Sequence, residues 1–238
     1  MDRRRRVLVT RPREAAEKTA RRIAALGHEP VILPLSRIVA IACDLPGPLV
    51  RFDAVAVTSA NAIRHAGRGL IDRLAGLPCI AVGEATARAV EKAGFSAVTS
   101  VKGDVSDIVA RMAGTLPGGA RIAYPCGRVR RPDLEAAARR HGFRIVAMET
   151  YDTEKVSYST QEMAGVLGSK PIDDALVFSA NGAAAMQTLP AGEYMNQIFE
   201  NTRFLCISER VADTIATRGG QSVAVADRPN EDAMLALL

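Results

Sequence analysis

The apolar positions of this chain come in short unbroken runs rather than in alternation. Val7-Leu8-Val9 is one such run, ended by Thr10-Arg11-Pro12. A stretch with helical spacing follows from Glu14 to Leu26 and stops at Gly27, and a second short run, Pro30 to Pro34, comes after it. Strands that are apolar at successive positions are covered on both faces, as in parallel sheets with helices on either side. The pattern predicts an α/β protein built from strand, tight turn and helix.

The same plan is used twice. A strand over Arg121–Pro125, a helix over Asp133–Arg140, Gly142 and a strand over Arg144–Met148 repeat the opening at an offset of 115. The stretch from Asp53 through Thr58-Ser59-Ala60-Asn61 to Ala62 reappears from Asp174 through Phe178-Ser179-Ala180-Asn181 to Gly182, at an offset of 121 for the aspartates and 120 over the turn. A third unit, Cys79–Glu84 with a helix over Ala85–Lys92 and then Gly94, recurs from Leu205–Glu209 through a helix to Gly219. Its offset is 125, and Asp107 falls on Asp232. Three units in the same order twice mark a duplicated chain with two similar lobes. Open parallel sheets bind ligands beyond the C-terminal ends of their strands. The candidate loops are therefore Thr10–Pro12, Thr58–Asn61, Val82–Glu84, Pro125–Arg128, Ser179–Asn181 and Ile207–Glu209.

Composition narrows the class. Of 238 residues, 48 % are apolar and 24 % charged, an ordinary globular balance that excludes a disordered chain. No apolar run approaches the ~18 residues of a membrane span. Met1-Asp2 and the Arg3–Arg6 run lead straight into the first strand, too short for a signal-peptide core, so a cytoplasmic protein with no membrane partner is expected. The net charge is +5, and residues 1–119 carry 18 Lys and Arg against 11 Asp and Glu. With aromatics at 4 % and no Trp, Arg3–Arg6 reads as a solvated tail, and no nucleic-acid partner is expected. Arginine makes up 26 of the 31 basic residues, and its planar fork suits carboxylates and phosphates.

The usual cofactor signatures do not occur. Cys43, Cys79, Cys126 and Cys206 form no C-x-x-C pair, and three of them lie in apolar stretches as buried thiols would. His28, His65 and His141 are isolated, and His28 and His141 adjoin a glycine past a helix, a capping rather than a ligating position. There is no phosphate loop, G-x-S-x-G elbow or H-E-x-x-H. Gly67-Arg68-Gly69 lacks the third glycine of a dinucleotide fingerprint and reads as a surface turn. Neither a cofactor nor a metal is expected.

What remains is small and polar. Ser59, Thr86, Ser179 and Ser208 sit at or just inside helix N-termini. One reading is N-capping, worth ~0.5–2 kcal/mol each. The other uses the same free N–H groups and positive helix ends to hold carboxylates. Both readings stand at this point.

These residues carry a resemblance. The opening V-L-V-T-R-P, T-S-A-N-A at Thr58–Ala62, V-G-E-A-T-A at Val82–Ala87, Gly103-Asp104, E-T-Y-D-T at Glu149–Thr153 and the turn Phe178-Ser179 follow one another as in the uroporphyrinogen-III synthase family. The chain resembles that family nearly end to end. The resemblance implies two lobes, each a parallel sheet flanked by helices, joined by a two-segment antiparallel connector. Lobe one would be 1–35 plus 154–238, lobe two 39–150, and the connectors would lie near 35–39 and 150–153. The implied reaction is cyclisation of the linear tetrapyrrole hydroxymethylbilane, with loss of water and inversion of the last pyrrole ring, by a cofactor-free monomer. Transient contact with the preceding pathway enzyme is also implied.

Residue by residue, Tyr151 matches the family's tyrosine in Y-x-T and takes the active role, while Thr86 matches its cleft threonine and is the second catalytic candidate, binding a carboxylate or the leaving oxygen. Ser59, Asn61, Ser179 and Ser208 would position carboxylates, with Arg11 beside them. The match is imperfect at Ser208–Val211, where a serine replaces the glycine of the turn and loses its access to positive φ. The competing reading is a non-catalytic two-lobed binding or regulatory relative that holds a tetrapyrrole or another polycarboxylate.

Overall fold

The structure is a computed structural model and describes residues 3–43, 47, 50–217 and 219–238. The chain divides into two compact units, Met1–Arg37 with Glu154–Leu238, and Ile38–Thr153. It opens with β1 (Arg6–Val9), α1 (Arg13–Ala25), β2 (Glu29–Ile32) and β3 (Ser36–Ala40). Then come β4 (Ala54–Val57), α2 (Ala60–Arg64), α3 (Arg68–Leu74), β5 (Cys79–Val82), α4 (Glu84–Lys92), β6 (Val98–Val101) and α5 (Val105–Thr115). β7 (Arg121–Gly127), α6 (Asp133–Arg140) and β8 (Arg144–Lys155) follow. The last stretch holds α7 (Thr160–Leu167), β9 (Asp174–Val177), α8 (Ala180–Gln187), α9 (Glu193–Phe199), β10 (Arg203–Cys206), α10 (Glu209–Ala212), β11 (Ser222–Val225) and α11 (Glu231–Leu235).

One sheet runs β11-β10-β9-β1-β2, and the other runs β3-β8-β7-β4-β5-β6. β1 pairs in parallel with β2 and β9, and β7 pairs in parallel with β8 and β4. The α/β class is as expected, and the two sheets repeat one topology. β1-α1-β2 corresponds to β7-α6-β8, and β9-β10-β11 corresponds to β4-β5-β6.

Covering on both faces explains the unbroken apolar runs. In β4, Val55 and Val57 join one buried cluster while Ala54 and Ala56 join another on the opposite face. In β1, Leu8 packs on one side and Val7 and Val9 on the other. A polar residue at any of these positions would be stranded without water.

The duplication extends to hydrogen bonds. Asp53 accepts the Arg121 amide at 2.7 Å, and Asp173 accepts the Arg6 amide at 2.7 Å. The strand register therefore aligns Asp53 with Asp173 and makes Asp174 the equivalent of Ala54, one residue from the alignment read in the sequence. Gly27 and Gly142 close their helices alike, at φ 87° and 79°. The next amide bonds back to the carbonyl five residues earlier, His28 to Ile23 and Phe143 to Ala138, as in a Schellman cap.

Some expectations change. Arg3–Arg6 is a solvated tail only in its first half. Arg3, with its side chain 85 % exposed, meets Asp173 at 3.0 Å on the surface, and Arg4 is exposed. Arg6, in contrast, pairs with Glu29 at 2.9 Å and Arg5 with the fully buried Asp174. Asp174 also takes Arg203 at 2.8 Å. Gly67 caps the start of α3 rather than forming a free turn. The helix expected before Gly219 is the single turn α10. The β-branched residues Thr214, Ile215 and Thr217 follow it, and the Thr214 hydroxyl bonds to the Val211 carbonyl at 2.6 Å, competing with helical continuation. Cys79, Cys126 and Cys206 are buried free thiols, and burial pushes them up to about 12, 11 and 11.

Candidate active site

In the unit formed by Ile38–Thr153, chain order reverses between neighbouring strands β4 and β7, the position where open α/β sheets form a crevice at their C-terminal edge. Ser59 ends the turn after β4 and caps α2, its hydroxyl accepting the Asn61 amide at 3.3 Å. The capping reading is thus realised at Ser59, and the Asn61 side chain extends from the first turn beside it. Gly83 follows β5 at φ 74° and sets the entry to α4, so that Thr86 falls in the first turn with its side chain buried. Among the described residues the Thr86 hydroxyl has no hydrogen-bond partner.

Tyr151 stands in β8, next to β7. The register jumps there: Cys126 faces Glu149, but Gly127 faces Tyr151, so Thr150 is the extra residue of a bulge. Thr150 is fully buried and donates its hydroxyl proton to the Ala62 carbonyl at 2.7 Å. The Tyr151 ring lies against Gly127, and the His65 ring is tilted toward it at 6.2 Å between centroids. The Tyr151 carbonyl accepts the Arg128 amide at 2.9 Å. Its phenol makes no hydrogen bond among the described residues.

Arginines surround this strand end. Arg128 reaches Glu149 at 3.2 Å and Asp152 at 3.1 Å. Arg130 holds Glu149 at 3.0 Å, Glu135 at 2.8 Å and the Gly127 carbonyl at 3.1 Å. Hydrogen bonds from Arg130 and then Arg128 hold the Glu149 carboxyl below the usual carboxylate range. A cavity of about 630 Å³ opens nearby, lined among others by Thr58, Tyr124, Arg130, Arg131 and Arg140. Thr58 and Tyr124 share a hydrogen bond of 3.0 Å at its floor, and burial pushes the Tyr124 phenol up. Arg130, Arg131 and Arg140 were not singled out by sequence. The signal was the Arg128-Val129-Arg130-Arg131 cluster directly after a candidate loop.

The other unit carries the remaining candidates at the C-terminal ends of β1, β9 and β10. Arg11 lies over the Phe178 ring at 4.2 Å and bonds to Glu231 at 2.8 Å, so its fork is already engaged. Ser179 caps α8, accepting the Gly182 amide at 3.0 Å. Ser208 precedes α10 with φ −163°, an extended backbone open to any residue, and makes no capping bond. The two turns therefore differ in conformation as well as in sequence, and Arg210 is exposed.

The profile of the HEM4 family, uroporphyrinogen-III synthase HemD, matches residues 17–236. The chain belongs to this family. Uroporphyrinogen-III synthase chemistry is cyclising hydro-lyase chemistry on a tetrapyrrole, and that is the activity class of this chain. The structure is similar to the uroporphyrinogen-III synthetase of Helicobacter pylori, with a TM-score of 0.65 at 16 % identity over 99 % of this chain and 98 % of that one. A mutant uroporphyrinogen III synthase from the extremely thermophilic bacterium Thermus thermophilus gives a TM-score of 0.51 at 19 % identity, over 98 % of this chain and 96 % of that one. At these identities the likeness bears on the fold alone. No curated protein matches the chain in sequence. Among the described residues no group of His, Cys, Asp and Glu is arranged to hold a metal, and no helix is long and apolar enough to cross a membrane.

Proposed function

We propose that this chain closes hydroxymethylbilane to uroporphyrinogen III with Tyr151 as the residue that assists departure of the hydroxyl. A pyrrole nitrogen pushes its electron pair toward the hydroxymethyl carbon, the C–O bond breaks, and the Tyr151 phenol donates a hydrogen bond and then a proton to the leaving oxygen. The departing group is water and the product an azafulvenium cation. The last ring attacks it through its substituted α-carbon to form a spiro intermediate, and the older bond from that carbon to its neighbouring methylene breaks. The methylene re-bonds at the ring's free α-carbon, and the phenolate recovers its proton when that carbon loses one. The observation that carries this role is a phenol fixed at the C-terminal edge of the sheet with no hydrogen bond within the described residues. A donor left open there is available to substrate.

Thr86 is the second polar group of the reading, its unpartnered hydroxyl presented in the first turn of α4, where the positive helix end favours a carboxylate. Ser59 and Asn61 offer the first turn of α2 in the same way. Arg131 and Arg140 supply cations to a substrate that carries eight carboxylates. Ser179 and Ser208, carried by the other unit, are the remaining carboxylate contacts of this reading, and Arg11 joins them by exchanging its Glu231 partner for a substrate carboxylate. The same reading takes the two units as the lobes of the family, with 35–39 and 150–153 as the crossover, in a cytoplasmic monomer that receives its substrate by transient contact with the preceding enzyme.

The deciding experiment generates hydroxymethylbilane in situ, adds the purified protein, oxidises, and separates type I from type III uroporphyrin. Predominantly type III is expected. Only type I at the spontaneous rate would favour the non-catalytic binding relative, for which the extended Ser208 turn is the supporting observation.

A further inference from the structure

Gly127 has no conformational need to be glycine. Its φ is not in the left-handed region, unlike that of Gly83 or Gly142. Its need is for space. A methyl group at this position would lie 2.7 Å from Tyr151 Cζ and 2.9 Å from both Cε2 and Oη, well inside the ~3.5–4.0 Å at which carbon atoms pack. The phenol of Tyr151 occupies the volume that any side chain on residue 127 would claim.

The strand beneath that ring cannot easily give way. The Arg128 amide holds the Tyr151 carbonyl, and the Arg128 side chain ties to Glu149 and Asp152 on either side of the tyrosine. Thr150 is anchored to Ala62 in α2. Relief of a clash at residue 127 would have to come from the tyrosine ring itself.

The duplication supplies a comparison within the same chain. At the offset that relates β1-α1-β2 to β7-α6-β8, Gly127 corresponds to Pro12 and Tyr151 to Ser36. The unit without the tyrosine has no glycine there either. The pair occurs only where Thr86 and the arginine cluster also stand.

We infer that Gly127 is a positioning residue for the reaction, setting the phenol of Tyr151 by leaving empty the volume the ring fills. This rests on the active role given to Tyr151 above. Gly127→Ala displaces the hydroxyl by about the ångström that costs on the order of 100-fold in rate, so kcat falls while KM stays within a few-fold. The fraction of type III product falls with it, because uncatalysed closure gives type I. Added to Tyr151→Phe, Gly127→Ala causes no further loss in kcat. Multiplying losses in the double variant would overturn the inference.

A readout independent of turnover separates this inference from the proposed function. With ring-labelled ¹³C-tyrosine, the chain shows four tyrosine signals, and Tyr151→Phe identifies one. Gly127→Ala shifts that signal and leaves the other three in place. An unmoved Tyr151 signal overturns the inference even in an active enzyme, whereas a shifted signal in a protein that makes only type I product sinks the functional reading alone. If Gly127→Ala lowers Tm, adding Tyr151→Ala restores it, and a loss that is not restored places the clash elsewhere and overturns the inference.

Discussion

The hydroxyl of Thr150 donates to the main-chain carbonyl of Ala62 at 2.7 Å, tying the bulge of β8 to the helix that begins at Ser59. The bond is fully buried, and it joins the strand bearing the candidate acid to the turn bearing two candidate carboxylate contacts. Thr150→Val leaves that carbonyl unpaired and costs about 1–3 kcal/mol. Urea unfolding at neutral pH checks this, and a variant as stable as the parent would show that water or another group satisfies Ala62.

Tyr151→Phe keeps the ring against Gly127 and removes only the proton. General acid assistance contributes on the order of 100-fold or more, so kcat falls by about that factor with KM little changed. The coupled assay followed at saturating substrate decides it. Retention of most of the turnover would leave Tyr151 with an orienting role only.

Thr86→Val is nearly isosteric and keeps α4 packed while deleting a hydroxyl that has no internal partner. Its stability should therefore match the parent, and KM should rise about tenfold, in line with the roughly 1.5–3 kcal/mol of a hydrogen bond to a charged group. A lowered Tm with an unchanged KM would return Thr86 to a helix-packing role.

Glu149 is held below the usual carboxylate range by Arg130 and Arg128. On acidification the unfolded chain takes up its proton first, near pH 4.3. The stabilisation from this group is complete above that pH and is lost as pH falls through the lower folded value. Glu149→Gln is therefore less stable than the parent at pH 7, and the gap between their urea midpoints closes below about pH 4. A gap that persisted at acid pH would assign the effect to packing. The group is partly exposed, so high salt should narrow the gap as well.

Asp174 is fully buried between Arg5 and Arg203. Asp174→Asn breaks both charge pairs and costs roughly 3 kcal/mol, the lower end for a broken buried pair because both guanidinium groups keep contact with water. Ala54, at the matching place in the other sheet, carries no charge, so the effect is confined to the first sheet. Differential scanning calorimetry checks the size, and a loss under about 1 kcal/mol would show that neither pair contributes.

The sequence by itself determined the α/β class, the doubled strand-turn-helix plan and most of its turns. Those features are written in local periodicity: apolar runs such as Val55–Val57 need cover on both faces, and Gly27 and Gly142 stop their helices wherever the helices pack. The candidate loops were legible for the same reason, since strand ends set them. Helix α10 was overestimated because the repeat suggested a full helix, while Thr214 and Ile215 resist one locally.

Only the tertiary structure decided what the candidate residues touch. Arg3–Arg6 reads as a tail in the chain, yet Arg5 pairs with a residue 169 positions away. Ser59 and Ser179 turned out to be caps, and Arg11 to be engaged by Glu231, outcomes that composition cannot distinguish from open contacts. Tyr151 and Gly127 were both in view as motif residues, but their contact depends on a one-residue bulge in the β7–β8 register. A register shift changes no local propensity, and it turns a side chain from one face of the sheet to the other. That is why the plan of the fold could be read along the chain, whereas the arrangement of its site required the paired strands.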